Sequence, residues 1–194
     1  MTRWLAILPL VVLAALALLF AGYALRHDPH VNPDALVGKP TPTIALPTLD
    51  GGAPKPLAAY VEGPTLINVF ASWCAPCIVE NPALLALKSQ GVRIIGVAYK
   101  DGFSGTCSDT GTGPACDSEA TRQFITKLGD PFTTILVDQS GRAGVELGIS
   151  GVPETFLVAP GGVIIAKHTG PLEPKDAEAL LEKASASSGA TVAR

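Results

Sequence analysis

Charged residues are scarce in this chain of 194 residues, at 16% of the sequence against roughly a quarter in an average soluble protein. No excess of basic residues is present, because 17 acidic and 14 basic residues leave a formal net charge of −3. A surface that binds nucleic acid needs clustered lysines and arginines, so no nucleic-acid partner is expected. The 20 glycines and 17 prolines follow no period, which excludes a collagen-like chain or a repeat array.

Apolar residues are concentrated near the N-terminus. Residues 4–25 carry no charge and consist mostly of Leu, Ala and Val. As a helix of about 1.5 Å per residue, this segment is about 33 Å long and can cross a hydrocarbon core of about 30 Å. A cleaved signal peptide is the alternative, because Gly-Tyr-Ala at 22–24 resembles a cleavage site. Its apolar region would usually stop at about 7 to 15 residues, so we expect a transmembrane anchor over residues 1–25.

The rest of the chain predicts one domain with flexible flanks. Residues 26–42 are polar and punctuated by proline, which is typical of an extended tether. Residues 43–186 are long enough to bury a core of their own. Within them, residues 102–116 are rich in Gly, Ser, Thr and Asp, which predicts an inserted surface loop. Residues 187–194 are small and polar, and a flexible tail is expected there.

The pattern of apolar and polar stretches predicts the strands and helices of the domain. The clearest strand covers residues 65–70, which are apolar except for Asn68, as expected of a strand buried on both faces. A helix with Pro82 inside it should then run to about Ser89. The other predicted elements are a hairpin within 43–57, strands at 92–98, 134–137, 155–158 and 163–168, and helices at 118–128, 142–147 and 174–186. This order predicts an α/β domain with a mixed central sheet flanked by helices.

The chain has four cysteines, at Cys74, Cys77, Cys107 and Cys116. A zinc site usually needs two closely spaced pairs, and eight residues separate the last two cysteines, so no metal is expected. An even number of cysteines beyond a membrane segment suits an oxidising compartment. We interpret Cys107 and Cys116 as a structural disulfide that staples the inserted loop. A second redox pair that exchanges electrons with Cys74 is the alternative.

Cys74 and Cys77 lie where the buried strand gives way to the predicted helix. A cysteine at a helix N-terminus faces unpaired backbone N–H groups and the positive end of the helix dipole, which favour the thiolate. This position predicts that Cys74 is a nucleophile and that Cys77, one turn later, is the resolving cysteine. Pro76 suits the first turn, where a missing N–H costs little. A structural disulfide or half of a metal site is the alternative.

Several motifs together resemble one known family. The residues Phe70, Ala71, Ser72, Trp73, Cys74, Ala75, Pro76 and Cys77 resemble a thioredoxin active site. The residues Gly151, Val152, Pro153, Glu154, Thr155 and Phe156 resemble the cis-proline loop that faces such a site. Further matches are Leu-Val-Gly-Lys-Pro-Thr-Pro at 36–42, Asn-Val-Phe at 68–70, Tyr-Lys-Asp at 99–101 and Leu-Gly-Asp-Pro-Phe at 128–132. The ordered set resembles the membrane-anchored CcmG/DsbE thioredoxins of cytochrome c biogenesis.

The resemblance implies a thioredoxin-like fold and a function. Such a protein is a thiol-disulfide oxidoreductase without a cofactor, and it keeps the CxxCH thiols of apocytochrome c reduced for haem attachment, directly or through a partner thiol protein. Its electrons come from a membrane protein of the CcdA/DsbD kind. The implied location is the bacterial inner membrane, with one span, the N-terminus in the cytoplasm and the domain in the periplasm.

The resemblance also implies roles for individual residues. Pro153 should follow a cis peptide bond, which places the backbone of Val152 beside the cysteine pair to bind substrate. Glu80 and Glu154 map onto carboxylates near the site, where a negative charge disfavours the thiolate and could select a substrate with basic flanks. Two surface glutamates are the alternative. Asn68 stands where general thioredoxins have a buried aspartate, so proton handling should not depend on a carboxylate at that position.

Two features depart from the family pattern, and two other functions stay open. Ser150 stands where the family often has an aromatic residue, and residues 102–116 form an insertion. One alternative function is an anchored reductase for another target, such as copper-site assembly or general periplasmic reduction. The other is a non-catalytic haem-assembly scaffold in which the cysteine pair is only structural.

Overall fold

The computed structural model of the chain describes residue 9, residues 11–20, residue 22, residues 36–101 and residues 118–190. It divides into two units, residues 1–33 and residues 34–194. In the first unit, residues 11–20 are helical. Within the described ranges, no helix has both the length and the apolar character that a membrane crossing requires. Much of the expected anchor and the whole of the inserted loop, with Cys107 and Cys116, lie outside the described residues.

The second unit contains seven strands and four α-helices within the described residues. In chain order they are β1 (Ala45–Leu46), β2 (Lys55–Pro56), a 3₁₀ helix (Leu57–Tyr60), β3 (Thr65–Phe70), α1 (Ala75–Ser89), β4 (Arg93–Tyr99), α2 (Glu119–Leu128), β5 (Thr134–Asp138), α3 (Arg142–Glu146), β6 (Glu154–Val158), β7 (Ile164–Thr169) and α4 (Pro174–Ala190).

A five-stranded mixed sheet organises this unit, in the order β5-β4-β3-β6-β7. The strands β3, β4 and β5 are parallel, whereas β6 runs antiparallel to β3 and β7 runs antiparallel to β6. The strands β1 and β2 form a separate antiparallel pair. The predicted α/β domain with a mixed central sheet is therefore confirmed.

The central strand β3 is buried on both faces, and its alternating side chains contribute to two apolar clusters. Leu66 and Phe70 belong to the cluster that includes apolar residues of α1, α2 and α4. Ile67 and Val69 belong to the cluster that includes residues of α3 and the 3₁₀ helix. Because strand side chains alternate, Asn68 lies on the same face as Leu66 and Phe70. The sequence of β3 thus directs one polar side chain toward α1.

Three phenylalanine rings pack against one another at the C-terminal end of β3. The rings of Phe70 and Phe132 stack with their centroids 4.5 Å apart, and Phe124 lies 5.6 Å from Phe70. Gly96 of β4 faces this stack, and a Cβ atom there would lie 2.8 Å from Phe132 and 2.9 Å from Phe70. The absence of a side chain at Gly96 therefore gives the two rings their space.

The folded unit extends beyond the expected domain at both ends. The expected tether includes residues 36–42, but Gly38 and Thr41 donate backbone hydrogen bonds to Ile164 and Gly162. Helix α4 continues to Ala190, so residues 187–190 are helical rather than part of a flexible tail. No proline ends the helix here, so it continues through residues 187–190 although they include the weak helix formers Ser and Gly. Residues 191–194 lie outside the described residues.

Smaller differences concern the ends of elements. Ser118 occupies the predicted N-cap position of α2, but its side chain makes no capping hydrogen bond. Pro82 lies inside α1, as expected. Strand β6 begins at Glu154, one residue earlier than predicted, which places this carboxylate in the sheet.

Candidate active site

Cys74 and Cys77 form a disulfide at the start of α1, with their Cα atoms 5.3 Å apart. Cys74 is the N-cap residue, and its sulfur accepts a hydrogen bond of 3.1 Å from the backbone N–H of Cys77. The first turn of the helix contains no acidic residue that would oppose the helix dipole. In the reduced protein these groups favour a thiolate at Cys74.

Exposure does not distinguish the two cysteines in the disulfide form, since Cys74 is 3% exposed and Cys77 is 2% exposed. Their positions on α1 distinguish them, because Cys74 alone is the N-cap. Trp73 is exposed beside them, and Pro76 is exposed in the first turn of the helix. Trp73 and Pro76 therefore form exposed surface directly next to the buried cysteine pair.

The cis-proline loop, residues 148–153, lies against the cysteine pair. The Val152–Pro153 peptide bond is cis, as the resemblance implied. The carbonyl oxygen of Val152 lies 3.5 Å from the sulfur of Cys74. The carbonyl of Pro153 accepts a hydrogen bond of 3.0 Å from the backbone N–H of Gly170. The backbone of the loop is therefore beside the reacting sulfur.

Glu80 lies one helical turn beyond Cys77 and is 1% exposed, so the surface alternative is wrong for this residue. Its Oε1 accepts a hydrogen bond of 2.9 Å from Asn68 Nδ2, and its Oε2 accepts one of 3.0 Å from the backbone N–H of Leu172. Burial raises the pKa of Glu80 to about 7, although both hydrogen bonds act in the opposite direction. Glu80 thus changes its charge near neutral pH.

Asn68 is fully buried and links Glu80 to the sheet. Its Nδ2 also donates a hydrogen bond of 3.0 Å to Thr155 Oγ1 on the neighbouring strand β6. The amide stands where a carboxylate would stand in a general thioredoxin, and the carboxylate of Glu80 reaches it from α1. A buried carboxyl group therefore lies next to Asn68, but it belongs to Glu80 on α1 and not to a residue of β3.

Glu154 is fully buried, so the surface alternative is wrong here as well. Its Oε1 accepts hydrogen bonds from the backbone N–H and the hydroxyl of Ser150, at 2.9 and 2.6 Å. Its Oε2 forms an ion pair of 2.8 Å with Lys167 Nζ. Ser150, a departure from the family pattern, is a direct partner of this carboxylate.

Lys167 is a residue that the sequence analysis did not single out. It pairs with Phe156 across β6 and β7, so it is a diagonal neighbour of Glu154 on one face of the sheet. The available signal was a lysine that directly follows the apolar residues Ile164, Ile165 and Ala166 of β7. The register of the hairpin is needed to connect that cation with Glu154.

Asp101 supports the segment before Cys74. Its buried carboxylate accepts hydrogen bonds from the backbone N–H of Ser72 at 3.0 Å, from the Ser72 hydroxyl, and from Thr121 Oγ1 at 2.7 Å. Lys100 has a positive φ of 47°, and its carbonyl accepts a hydrogen bond of 3.4 Å from Trp73 Nε1. Lys100 and Asp101 of the Tyr-Lys-Asp motif therefore hold the segment that precedes Cys74 in place. The sequence alone did not predict this role.

The part of the chain described here contains no group of three or more His, Cys, Asp or Glu side chains arranged to hold a metal ion. Cys107 and Cys116 lie outside the described residues, so the structure places neither of them relative to the site. The chemistry of the described site is that of the Cys74–Cys77 pair.

Comparison with known proteins agrees with this geometry. The family model described as Redoxin matches residues 36–182. The thiol:disulfide interchange protein HelX of Rhodobacter capsulatus is 37% identical over 175 residues, which cover 89% of this chain and 90% of that protein. The thiol:disulfide interchange protein DsbE of Escherichia coli K12 is 33% identical over 181 residues, which cover 90% of each chain.

Solved structures share the fold. A putative thiol:disulfide interchange protein DsbE from Chlorobium tepidum has a TM-score of 0.57 at 23% identity and covers 78% of this chain and 96% of its own. A thio-disulfide isomerase from Thermus thermophilus has a TM-score of 0.58 at 23% identity and covers 76% of this chain and 96% of its own.

Proposed function

Because the chain belongs to the Redoxin family and to its DsbE-type thiol:disulfide interchange proteins, we propose that it reduces apocytochrome c during cytochrome c maturation. It is a thiol-disulfide oxidoreductase, and its target is the disulfide that the two CxxCH cysteines form before haem attachment. The observation that carries the proposal is the Cys74–Cys77 disulfide at a helix N-terminus, with the carbonyl of Val152 3.5 Å from Cys74.

The reaction is two successive exchanges of sulfur partners. The Cys74 thiolate attacks one sulfur of the target disulfide, that bond breaks, and the second target sulfur leaves as a thiolate that takes up a proton. The Cys77 thiolate then attacks Cys74 in the mixed disulfide, and the first target sulfur leaves as the second thiol. Two electrons pass to the target, and the protein is left with the Cys74–Cys77 disulfide.

The surrounding groups have separate tasks in this scheme. The helix N-terminus and the Cys77 N–H stabilise the Cys74 thiolate. The backbone of Val152 hydrogen-bonds the extended target chain, and the exposed Trp73 and Pro76 contact it from the other side. Cys77 must lose its proton before it attacks, and the ionised carboxylate of Glu80, one helical turn away and with a pKa of about 7, is the base that accepts it.

The reaction requires a compartment and a source of electrons. Residues 1–25 act as an uncleaved anchor in the bacterial inner membrane, supported by the uncharged run at 4–25 and by the helix at 11–20. The domain then lies in the periplasm, where a Cys107–Cys116 disulfide persists. A membrane protein of the CcdA/DsbD kind reduces the Cys74–Cys77 disulfide after each cycle.

A trapping experiment in cells tests the target. The full-length Cys77→Ser variant forms the mixed disulfide but cannot resolve it, so apocytochrome c or its thiol partner should accumulate as a covalent adduct through Cys74. The Cys74→Ser variant is the matched control and should hold no adduct. Adducts with copper-site proteins or with unrelated periplasmic proteins alone would overturn the cytochrome c assignment. Absence of any adduct would favour a scaffold.

A further inference from the structure

We propose that Lys167 is a positioning residue for this reaction, because it holds the cis-proline loop, residues 148–153, in the shape that binds the backbone of a peptide disulfide. Its Nζ forms an ion pair of 2.8 Å with Glu154 Oε2 and donates a hydrogen bond of 3.2 Å to the carbonyl of Gly148. Gly148 begins the loop and Glu154 directly follows it. One cation therefore connects the two ends of the loop.

Glu154 connects Lys167 to the middle of the loop through its contacts with Ser150. While one carboxylate oxygen binds Lys167, the other accepts both hydrogen bonds from Ser150. Ser150 lies two residues before Val152, whose carbonyl is 3.5 Å from the sulfur of Cys74. Contacts therefore run from Lys167 through Glu154 and Ser150 to the loop backbone beside the reacting sulfur.

Burial makes the lysine necessary. The side chain of Glu154 is 0% exposed and that of Lys167 is 9% exposed, so the ion pair is shielded from water. A buried carboxylate without its counter-charge must take up a proton or turn toward solvent. Either change weakens its hold on Ser150 and releases the loop. Lys167 itself is held on β7, where it pairs with Phe156 and its Nζ lies 5.5 Å from the ring centroid.

The consequence is a discrimination between substrates. A peptide disulfide uses the loop backbone for binding, whereas a small aromatic disulfide without a peptide backbone does not. Loss of Lys167 should therefore weaken binding of peptides without changing the chemistry of Cys74. The inference rests on the proposed use of this loop for substrate binding, but it does not depend on which peptide is the natural target.

The test is single-turnover oxidation of the reduced full-length protein in detergent. The probes are a CxxCH peptide disulfide, a peptide disulfide of unrelated sequence, and 5,5′-dithiobis(2-nitrobenzoate) as the small disulfide. For Lys167→Met, the half-saturating concentration of both peptides should rise about tenfold, equivalent to 1.4 kcal/mol of binding. The limiting rate, the rate with the small disulfide and the redox potential should stay within about twofold of their original values.

Two further variants serve as controls. Lys167→Arg keeps a cation that can pair with Glu154 and should retain peptide binding. Lys127→Met removes an exposed lysine of α2 and should change none of these quantities. If Lys167→Met does not fold, Ser150→Ala serves as the test, because it removes one hydrogen bond to Glu154 and should raise the half-saturating peptide concentration about fivefold.

An unchanged half-saturating concentration for both peptides, or equal slowing with peptide and small disulfides, would overturn the role of Lys167. So would a redox potential that shifts together with the peptide affinity. The unrelated peptide separates this inference from the proposed function. A Lys167 effect on both peptides supports the inference even if trapping in cells finds no cytochrome c.

Discussion

The Glu80→Gln variant should lose a large part of the pH dependence of folding stability. In the folded protein, burial raises the pKa of Glu80 from its ordinary value of 4.5 to about 7. Between these two pH values the folded state keeps a proton that the unfolded chain has released. The free energy of unfolding therefore falls as the pH rises through this interval.

The sign and size follow from the two pKa values. Below pH 4.5 Glu80 is protonated in both states, so its contribution to stability is fully present. Above pH 7 it is ionised in both states, and the contribution has been lost. The shift from 4.5 to about 7 corresponds to about 3 kcal/mol, of which about 2.5 kcal/mol is lost between pH 5 and pH 8. A glutamine cannot ionise, so its variant should lack this component.

Urea unfolding of the oxidised full-length protein in detergent, at several values between pH 5 and pH 8, measures the effect. The difference in free energy of unfolding between Glu80→Gln and the wild type should change with pH in favour of the variant, by about 2.5 kcal/mol over this range. Glu178→Gln removes an exposed carboxylate of α4 and should follow the wild type. Parallel curves for the wild type and Glu80→Gln would show that Glu80 does not titrate as argued.

Two further substitutions test the support of the site and the core. Asp101→Ala should lower the free energy of unfolding, measured with urea, by about 3 kcal/mol, because three hydrogen-bond donors lose their acceptor. Asp50→Ala, at an exposed position, is the control. An equal effect of both substitutions would contradict the supporting role of Asp101. Gly96→Ala should cost about 1 to 3 kcal/mol, because its Cβ would overlap the ring of Phe132. An unchanged urea midpoint for Gly96→Ala would show that the ring can move aside.

The sequence predicted those parts of the site that depend on local patterns. The apolar run of β3 and the cysteine pair after it placed Cys74 at a helix N-terminus, because strand and helix periodicities are visible over a few residues. The burial of Glu80 could not be predicted from the sequence. Its partners Asn68 and Leu172 lie 12 and 92 residues away in the chain. A charged residue is expected at the surface unless such distant partners are known.

The ends of the domain were also hard to place from the sequence. Residues 36–42 contain prolines and glycine, which are typical of a linker, but they pair through their backbone with the start of β7. Backbone pairing of this kind leaves no periodic pattern of side chains. The helix at the other end continues past Ala186 through two serines and a glycine to Ala190. Serine and glycine are weak helix formers, so their composition predicted a tail rather than a helix.

The two glutamates at the site are buried in different ways, and this difference separates their effects. Glu154 meets a lysine, so its charge is balanced within the pair and its contribution is to the shape of the loop. Glu80 meets the neutral N–H donors of Asn68 and Leu172, so burial dominates and its pKa rises. We therefore expect the charge that disfavours a thiolate on the cysteine pair to come from Glu80, one helical turn beyond Cys77, and to grow as the pH rises through 7. Neither carboxylate is exposed to contact a basic target, so both act within the protein.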